Sequence, residues 1–251
     1  MVDVFGNEII GAYTNGVSVQ VIYAYGNLVW PVEPSYYYVK WDSGTRYSGT
    51  FSMEGNTYNY SDYYPSNYFS GFSGVITSSA FRSGSFSYME TNATNVMSSA
   101  FMRCINLKKA SLSKCEYVGS STFQGCYSLT QVNLPVCSYI GNQVFQSCYS
   151  LTQVNLPMCE YVGVYAFQDC YSLSQINLPV CSYIGRWAFQ YCSSFSRIIL
   201  GYSGVCSLGN SEAFSRTQIL TGSILVPSSL VSAYKTDSAW SRYSSRIFPI
   251  Q

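Results

Sequence analysis

Cysteine is the residue of this sequence whose type and spacing most strongly suggest chemistry. Nine of the ten cysteines recur every eleven residues from Cys104 to Cys192, and Cys206 falls out of step. Thiols can bind zinc, but the usual Cys-x-x-Cys ligand pairs are missing from the sequence. The absence of histidine removes every His-containing metal site and every Cys-His nucleophile. The sequence therefore predicts no metal site, no cofactor and no catalytic cysteine.

An even number of cysteines could instead form a disulfide framework. If repeated segments stack, however, equivalent cysteines lie about 4.8 Å apart, with parallel Cα–Cβ bonds. A disulfide needs Cβ atoms that face each other. We therefore expect two ladders of small, buried, reduced cysteines, with the disulfide framework as the alternative.

Paired carboxylates are the other arrangement that could be catalytic, because a glycosidase needs only two of them. Glu160 and Asp169 are the only acidic residues between Phe123 and Val180. They fall on different segments of one repeat, and neither recurs in the neighbouring repeats. The sequence therefore predicts no catalytic residues and a protein that is not an enzyme.

The composition indicates a surface that is rich in tyrosine and poor in charge. Only 10% of the 251 residues are charged, and the formal net charge is +1, whereas an ordinary globular protein has about 25% charged residues. We therefore expect no nucleic-acid partner. We also expect no membrane insertion, because the apolar runs are far shorter than a membrane span. Residues 1–10 lack the basic start and the apolar run of a signal peptide.

A 22-residue repeat positions the cysteines, because alternate cysteines have different neighbours. Its apolar residues follow the leucine-rich-repeat spacing L-x-x-L-x-L-x-x-C. In one copy these residues are Leu129, Val132, Leu134 and Cys137. Pro135 should end a short strand, Gly141 should permit a tight bend, and Phe145 should return the chain to the core. One coil cannot bury these residues alone, so the coils must stack.

The string L-x-x-V-x-L-P-x-C-x-x-I-G-x-x-x-F-x-x-C resembles the BspA-type leucine-rich repeats of bacterial surface proteins. The tail, residues 223–251, is similar to the C-terminal cap of such solenoids in gut bacteria and their bacteriophages, so the likeness covers residues 75–251. In that tail, residues 228–235 can form a short helix, and Trp240 and Tyr243 suggest a second turn. The resemblance implies a mostly β, right-handed leucine-rich-repeat solenoid with short helical turns. It also implies adhesion, and no active site.

The sequence divides into four predicted segments. They are an N-terminal β-meander or docking module (1–33), a β-rich N-terminal cap (34–74), the solenoid of 22-residue repeats (75–222) and a small helical C-terminal cap (223–251). In the first segment, Asn15-Gly16 and Gly26-Asn27 favour hairpins. Pro31 and Pro34 should end the meander.

Two surfaces are candidate binding sites, because stacked repeats present equivalent positions side by side. One strand face should carry an uncharged amide ladder that suits a hydroxyl-rich ligand; it could instead merely stabilise the stacking. Its residues are Gln131, Asn133, Gln153 and Asn155, with Gln175 and Asn177 following. The other surface is the variable turn edge, where Tyr165, Arg186 and Trp187 resemble the residues of antibody paratopes. Neutral drift of exposed turns is the alternative there.

These features predict a non-enzymatic recognition or adhesion protein that presents its repeats to a glycan or protein on a bacterial or host cell. It would be extracellular, either on a bacterial cell surface or in a bacteriophage virion as a tail or fibre component. The alternative is a purely structural virion or surface-assembly protein whose repeats act as a spacer or assembly block. Residues 1–33 would then bind sibling proteins. The sequence favours no particular oligomeric state.

Overall fold

The computed structural model describes residues 9–14, 17–24, 27–32, 35–40, 48–53, 56–61, 68–84 and 86–251. The strands are β1 (Ile9–Thr14), β2 (Val17–Ala24), β3 (Asn27–Val32), β4 (Ser35–Lys40), β5 (Ser48–Met53), β6 (Asn56–Ser61), β7 (Tyr68–Ile76), β8 (Tyr88–Val96), β9 (Lys109–Leu112), β10 (Tyr117–Val118), β11 (Gln131–Asn133), β12 (Tyr139–Ile140), β13 (Gln153–Asn155), β14 (Tyr161–Val162), β15 (Gln175–Leu178), β16 (Tyr183–Ile184), β17 (Arg197–Leu200), β18 (Ser207–Leu208), β19 (Ser223–Val226) and β20 (Ile247–Pro249). The helical elements are α1 (Val231–Thr236) and two 3₁₀ helices, Ser228–Leu230 and Ser241–Arg246. Across the described ranges, every helix is too short to span a membrane.

The N-terminal strands form antiparallel hairpins that lead to the solenoid. β1 pairs with β2 and β2 with β3, as the Asn-Gly and Gly-Asn dipeptides predicted, although turn residues 15–16 and 25–26 lie outside the described residues, as does Pro34. The meander does not end at Pro31, because β3 continues to Val32 and pairs with β4. β2 accompanies β3 only as far as Val29. Pro31 thus has a partner strand on one side only, which is where a strand tolerates proline.

Two parallel ladders run through the solenoid, one on each segment of the repeat. In the longer-strand ladder, β7, β8, β9, β11 and β13 pair in that order, and β15, β17, β19 and β20 form a second series. The two-residue strands β10, β12, β14, β16 and β18 form the other ladder, which begins on β8. In the central coils each pairing joins residues 22 apart, such as Gln131 with Gln153 and Tyr139 with Tyr161. The predicted leucine-rich-repeat solenoid is confirmed.

Stacked phenylalanine rings fill the centre of the solenoid. The fully buried members of this stack are Phe101, Phe123, Phe145, Phe167 and Phe189. Their neighbouring ring centroids lie 5.1 to 5.6 Å apart, with nearly parallel planes. Because each ring covers the next, the core is continuous from coil to coil, as the spacing of these residues predicted.

All ten cysteines are free and buried, as expected for two ladders of small core residues. Their thiols also make hydrogen bonds that the sequence did not predict. The Cys148 Sγ donates to the Phe123 carbonyl oxygen of the preceding coil at 3.2 Å, and the Cys137 Sγ donates to the Tyr139 carbonyl oxygen at 3.3 Å. Burial raises the pKa of the Cys137 thiol to about 11. This thiol is therefore protonated at neutral pH, and a protonated thiol is a poor nucleophile and metal ligand.

The repeated glycines allow coils to approach each other, rather than permitting the bend that was expected. A Cβ atom at Gly163 would lie 2.5 Å from the carbonyl carbon and oxygen of Gly141 in the preceding coil. The left-handed backbone of the turns is instead supplied by other residues, such as Gln143 with φ of 58° and Ser147 with φ of 60°. Glycine is thus required at these positions because its lack of a side chain sets the distance between coils.

The C-terminal cap closes the last coil with aromatic residues. Tyr234 of α1, Trp240 and Tyr243 are all buried, as the sequence predicted for a cap over the core. The Trp240 Nε1 donates to the Cys206 carbonyl oxygen at 2.6 Å, and the Cys206 backbone N–H donates to the Tyr234 hydroxyl at 2.8 Å. Burial raises the pKa of Tyr243 to about 12. The cap therefore satisfies the backbone of a coil that has no following coil to pair with.

Candidate functional site

A groove of about 640 Å³ runs along the solvent face of the longer strands, from β8 to β17. Its floor follows from the alternation of side chains along each strand. In β15, Ile176 and Leu178 are buried, whereas Gln175 and Asn177 are exposed. In β11 and β13 the Gln-x-Asn motif likewise turns its glutamine and asparagine away from the core.

Two rows of amide side chains line this groove, and they consist of the six strand-face residues that the sequence singled out. The rows are Gln131, Gln153 and Gln175, and Asn133, Asn155 and Asn177. The Gln131 Nε2 donates to the Gln153 Oε1, and the Asn155 Nδ2 donates to the Asn133 Oδ1 at 2.7 Å. A primary amide has two N–H donors and an oxygen with two lone pairs. These contacts therefore leave donors and acceptors of every amide for a ligand.

The groove floor is interrupted at its middle. β13 and β15 come from successive coils within residues 86–251, yet no backbone hydrogen bond joins them. The Asn155 carbonyl accepts the Leu134 N–H on the β11 side at 3.0 Å, so the Val154 carbonyl points the other way, toward β15. Val154 is also partly exposed, whereas Val132 and Ile176 at the equivalent positions are 3% exposed. Backbone polar groups at the centre of the groove thus have no hydrogen-bond partner on the facing strand.

The turn edge brings Tyr165, Arg186 and Trp187 together. The Tyr165 and Trp187 rings stack with centroids 5.1 Å apart and planes 9° from parallel. The Arg186 guanidinium carbon lies 4.3 Å from the centroid of the Trp187 ring. A stack this close has no room for a guanidinium between its rings, so Arg186 covers the opposite face of Trp187. Trp187 is therefore half-buried, and neither face of its ring is free to stack on a sugar.

Glu160 and Asp169, the two carboxylates considered for catalysis, lie on different segments of the repeat and have different hydrogen-bond partners. Asp169 accepts a hydrogen bond from the Tyr171 hydroxyl at 3.5 Å, and partial burial raises the pKa of its carboxyl group. Glu160 lies on the preceding segment, where its backbone carbonyl accepts the Ser182 N–H at 3.0 Å. Within the described residues, no cluster of Cys, Asp and Glu could hold a metal ion.

Comparison with known proteins bears on this repeat architecture directly. The model of the BspA type leucine rich repeat region matches six copies, over residues 74–196 and 116–236. This match covers more than half of the chain. The chain belongs to this family. Proteins built from such repeats are typically non-catalytic binding scaffolds of bacterial surfaces.

Solved structures similar to this BspA-type chain are leucine-rich-repeat proteins of bacteria. One from Bacteroides ovatus is 24% identical, with a TM-score of 0.45 over 66% of this chain and 46% of that one. One from Eubacterium ventriosum is 21% identical, with a TM-score of 0.49 over 67% and 50%. A leucine rich cell surface protein from Faecalibacterium prausnitzii is 16% identical, with a TM-score of 0.42 over 73% and 55%. This chain therefore spans about half the length of these structures. No curated protein matches it.

The BspA-type coils also carry ladders that the sequence reasoning missed. Tyrosines stack on the outside of the two-residue strands, with centroids 4.8 to 4.9 Å apart. They are Tyr117, Tyr139, Tyr161 and Tyr183. A second stack of exposed rings contains Tyr127, Tyr149 and Tyr171, at 5.1 Å. The signal was present, because these tyrosines recur every 22 residues as the phenylalanines do.

Proposed function

We propose that this protein is a non-catalytic recognition protein that binds a hydroxyl-rich glycan on a cell surface through the strand-face groove. The observation that carries the proposal is the pair of amide rows that line the groove, Gln131 to Gln175 and Asn133 to Asn177, of which all but the partly exposed Gln131 are exposed. Each amide both donates and accepts hydrogen bonds, as does each sugar hydroxyl. Membership of a bacterial-surface repeat family supports a binding role.

The groove is a better candidate than the turn edge for a chemical reason. Sugar rings bind aromatic side chains by lying on a ring face, and both faces of Trp187 are already covered by Tyr165 and Arg186. In the groove, by contrast, the amides of Gln153 and Asn155 are exposed and only partly hydrogen-bonded. A rigid scaffold that holds such groups in place binds without a large ordering cost.

An extracellular location belongs to the same proposal, on a bacterial cell surface or in a bacteriophage virion as a tail or fibre component. The repeat family is typical of bacterial surfaces, which supports the first of these locations. In either location the groove would recognise a glycan of a bacterial or host cell, and residues 1–33 would join the chain to a larger assembly.

Glycan-array and whole-cell binding test this proposal with two double variants. Gln153→Ala with Asn155→Ala should weaken binding by about tenfold or more, since each lost hydrogen bond contributes about 1 kcal/mol. Tyr165→Ala with Trp187→Ala should leave binding within about twofold, and thermal melts should show that both variants fold. Binding lost only in the second variant would move the site to the turn edge. Stable incorporation into a virion or surface assembly, with no binding by the wild type, would favour the purely structural alternative.

A further inference from the structure

Positive charge brackets the glutamine row of the groove at both ends. Strand register places Lys109 beside Gln131 at one end and Arg197 beside Gln175 at the other. Both cationic side chains are exposed. The three strands between them, β11, β13 and β15, carry no charged residue at all.

The two cations are separated by four coil steps. Because paired neighbouring strands lie about 4.8 Å apart and β13 and β15 are not paired, the span from Lys109 to Arg197 is at least about 20 Å. An extended oligosaccharide that lay along the glutamine row would therefore reach both cations at once, with its middle on the neutral amides.

The charge around the groove is unevenly balanced. Glu90 of β8 lines the groove one strand from Lys109, beside Ser111, so an acidic side chain lies near that end. No acidic residue lies on β17 beside Arg197. Lys109 lines the groove, and Arg197 lies just beyond the residues that line it. Among the described residues, the salt bridge joins Arg242 to Glu212, so neither Lys109 nor Arg197 forms an ion pair with another described residue. Arg197 should therefore attract an anion more strongly than Lys109.

A solubilising role would not explain this arrangement. Charge on any exposed strand position would keep the face soluble, and the middle three strands are as exposed as the ends but have none. The cations occur only where a ligand lying on the amide rows would end.

We infer that the ligand of the groove is a linear acidic glycan whose carboxylates bind Arg197 and Lys109 while its hydroxyls bind the amide rows. This inference rests on the proposed function and adds the chemical class of the ligand. The planar guanidinium of Arg197 can hold a carboxylate through two parallel hydrogen bonds, whereas Lys109 offers a point charge. Arg197 should therefore contribute more to carboxylate binding than Lys109 does.

Calorimetric titration of the full chain tests this with linear uronic-acid oligosaccharides of increasing length and with their neutral methyl esters. The acids long enough to span the groove should bind about tenfold or more tightly than the esters, because hydrogen bonds to charged groups are the stronger ones. Arg197→Gln should remove most of this difference, and Lys109→Gln a smaller part. Lys235→Gln removes an equal charge from the exposed surface of α1 and should have no effect.

The inference fails if acids and esters bind equally or if neither binds. It also fails if Arg197→Gln binds like the wild type, or if Lys235→Gln weakens binding as much as Arg197→Gln does. Tighter binding of an acidic peptide such as polyglutamate would show that the ligand class is wrong. Ester binding that is lost in the variant with Gln153→Ala and Asn155→Ala, but not in Arg197→Gln, would keep the groove as a glycan site and remove the acidic assignment.

Discussion

Glutamine recurs every 22 residues in two rows of this solenoid, and the rows differ in their surroundings. The turn row contains Gln124, Gln146, Gln168 and Gln190, and the strand row contains Gln131, Gln153 and Gln175. In the turn row the side chains are half-buried, and each amide donates to the next along the whole row. In the strand row a single side-chain hydrogen bond joins Gln131 to Gln153, and the row is broken where β13 and β15 separate.

Burial decides which role the repeated amide has. Gln146 donates to Gln168, and its oxygen accepts hydrogen bonds from Gln124 and Gln143. A partly buried amide needs hydrogen-bond partners because water reaches it poorly. The hydrogen bonds of the turn row therefore stabilise the stack of coils. An exposed amide has no such need, because water satisfies it. The strand row can therefore keep its hydrogen-bonding capacity for a ligand at little cost in stability.

The largest expected effect tests whether Phe145, which lies in the turn segment beside Gln146, faces the core. Phe145 directly precedes Gln146 and is fully buried between Phe123 and Phe167. Phe145→Ala should lower the free energy of unfolding by about 3–5 kcal/mol, because the cavity cannot be filled from neighbouring coils. Denaturant melts measure this against Val136→Ala, a side chain that is 42% exposed and should cost less than about 0.5 kcal/mol. Equal losses would contradict the assigned phase of the repeat.

A smaller effect should separate the two glutamine rows. Gln146→Ala removes the acceptor of the Gln124 and Gln143 side-chain amides and the donor to the Gln168 Oε1, and should cost about 1–3 kcal/mol. Gln153→Ala removes the same group from the exposed row and should cost less than about 0.5 kcal/mol. Denaturant melts of the two matched variants compare them directly. If Gln153→Ala proved the more destabilising, the strand row would be a structural ladder, as the alternative interpretation of the sequence held.

The sequence predicted the coil, but not every consequence of stacking the coils. The 22-residue period, the phenylalanine core, the free cysteines and the cap residues Trp240 and Tyr243 all follow from apolar spacing, which a single coil already contains. The partial burial of Gln146 does not follow from its position next to Phe145 in the repeat. Its burial comes from three other glutamines in the turns of its own and adjacent coils, and a single repeat does not show them.

The interruption between β13 and β15 could not be predicted for a related reason. The two coils differ very little in sequence at this point, with Thr152-Gln153-Val154 facing Ser174-Gln175-Ile176. Near-identical repeats predict identical pairing, so the separation of these two strands does not follow from their own residues. The covering of both Trp187 ring faces could not be predicted either, because Arg186 and Tyr165 occupy positions that vary among the coils.

The smallest expected effect is that of a reductant. It tests whether the cysteines of the buried interior are reduced, in contrast to the exposed groove. All ten thiols are buried, and those of Cys137 and Cys148 donate to carbonyl oxygens, so no disulfide contributes to stability. The melting midpoint should be the same with and without reductant. Iodoacetamide should leave the native chain unmodified and add to ten cysteines after unfolding without reductant, as mass spectrometry would show. Fewer than ten additions, together with a lower midpoint on reduction, would mean that stacked cysteines can pair after all and that the chain matures in an oxidising compartment.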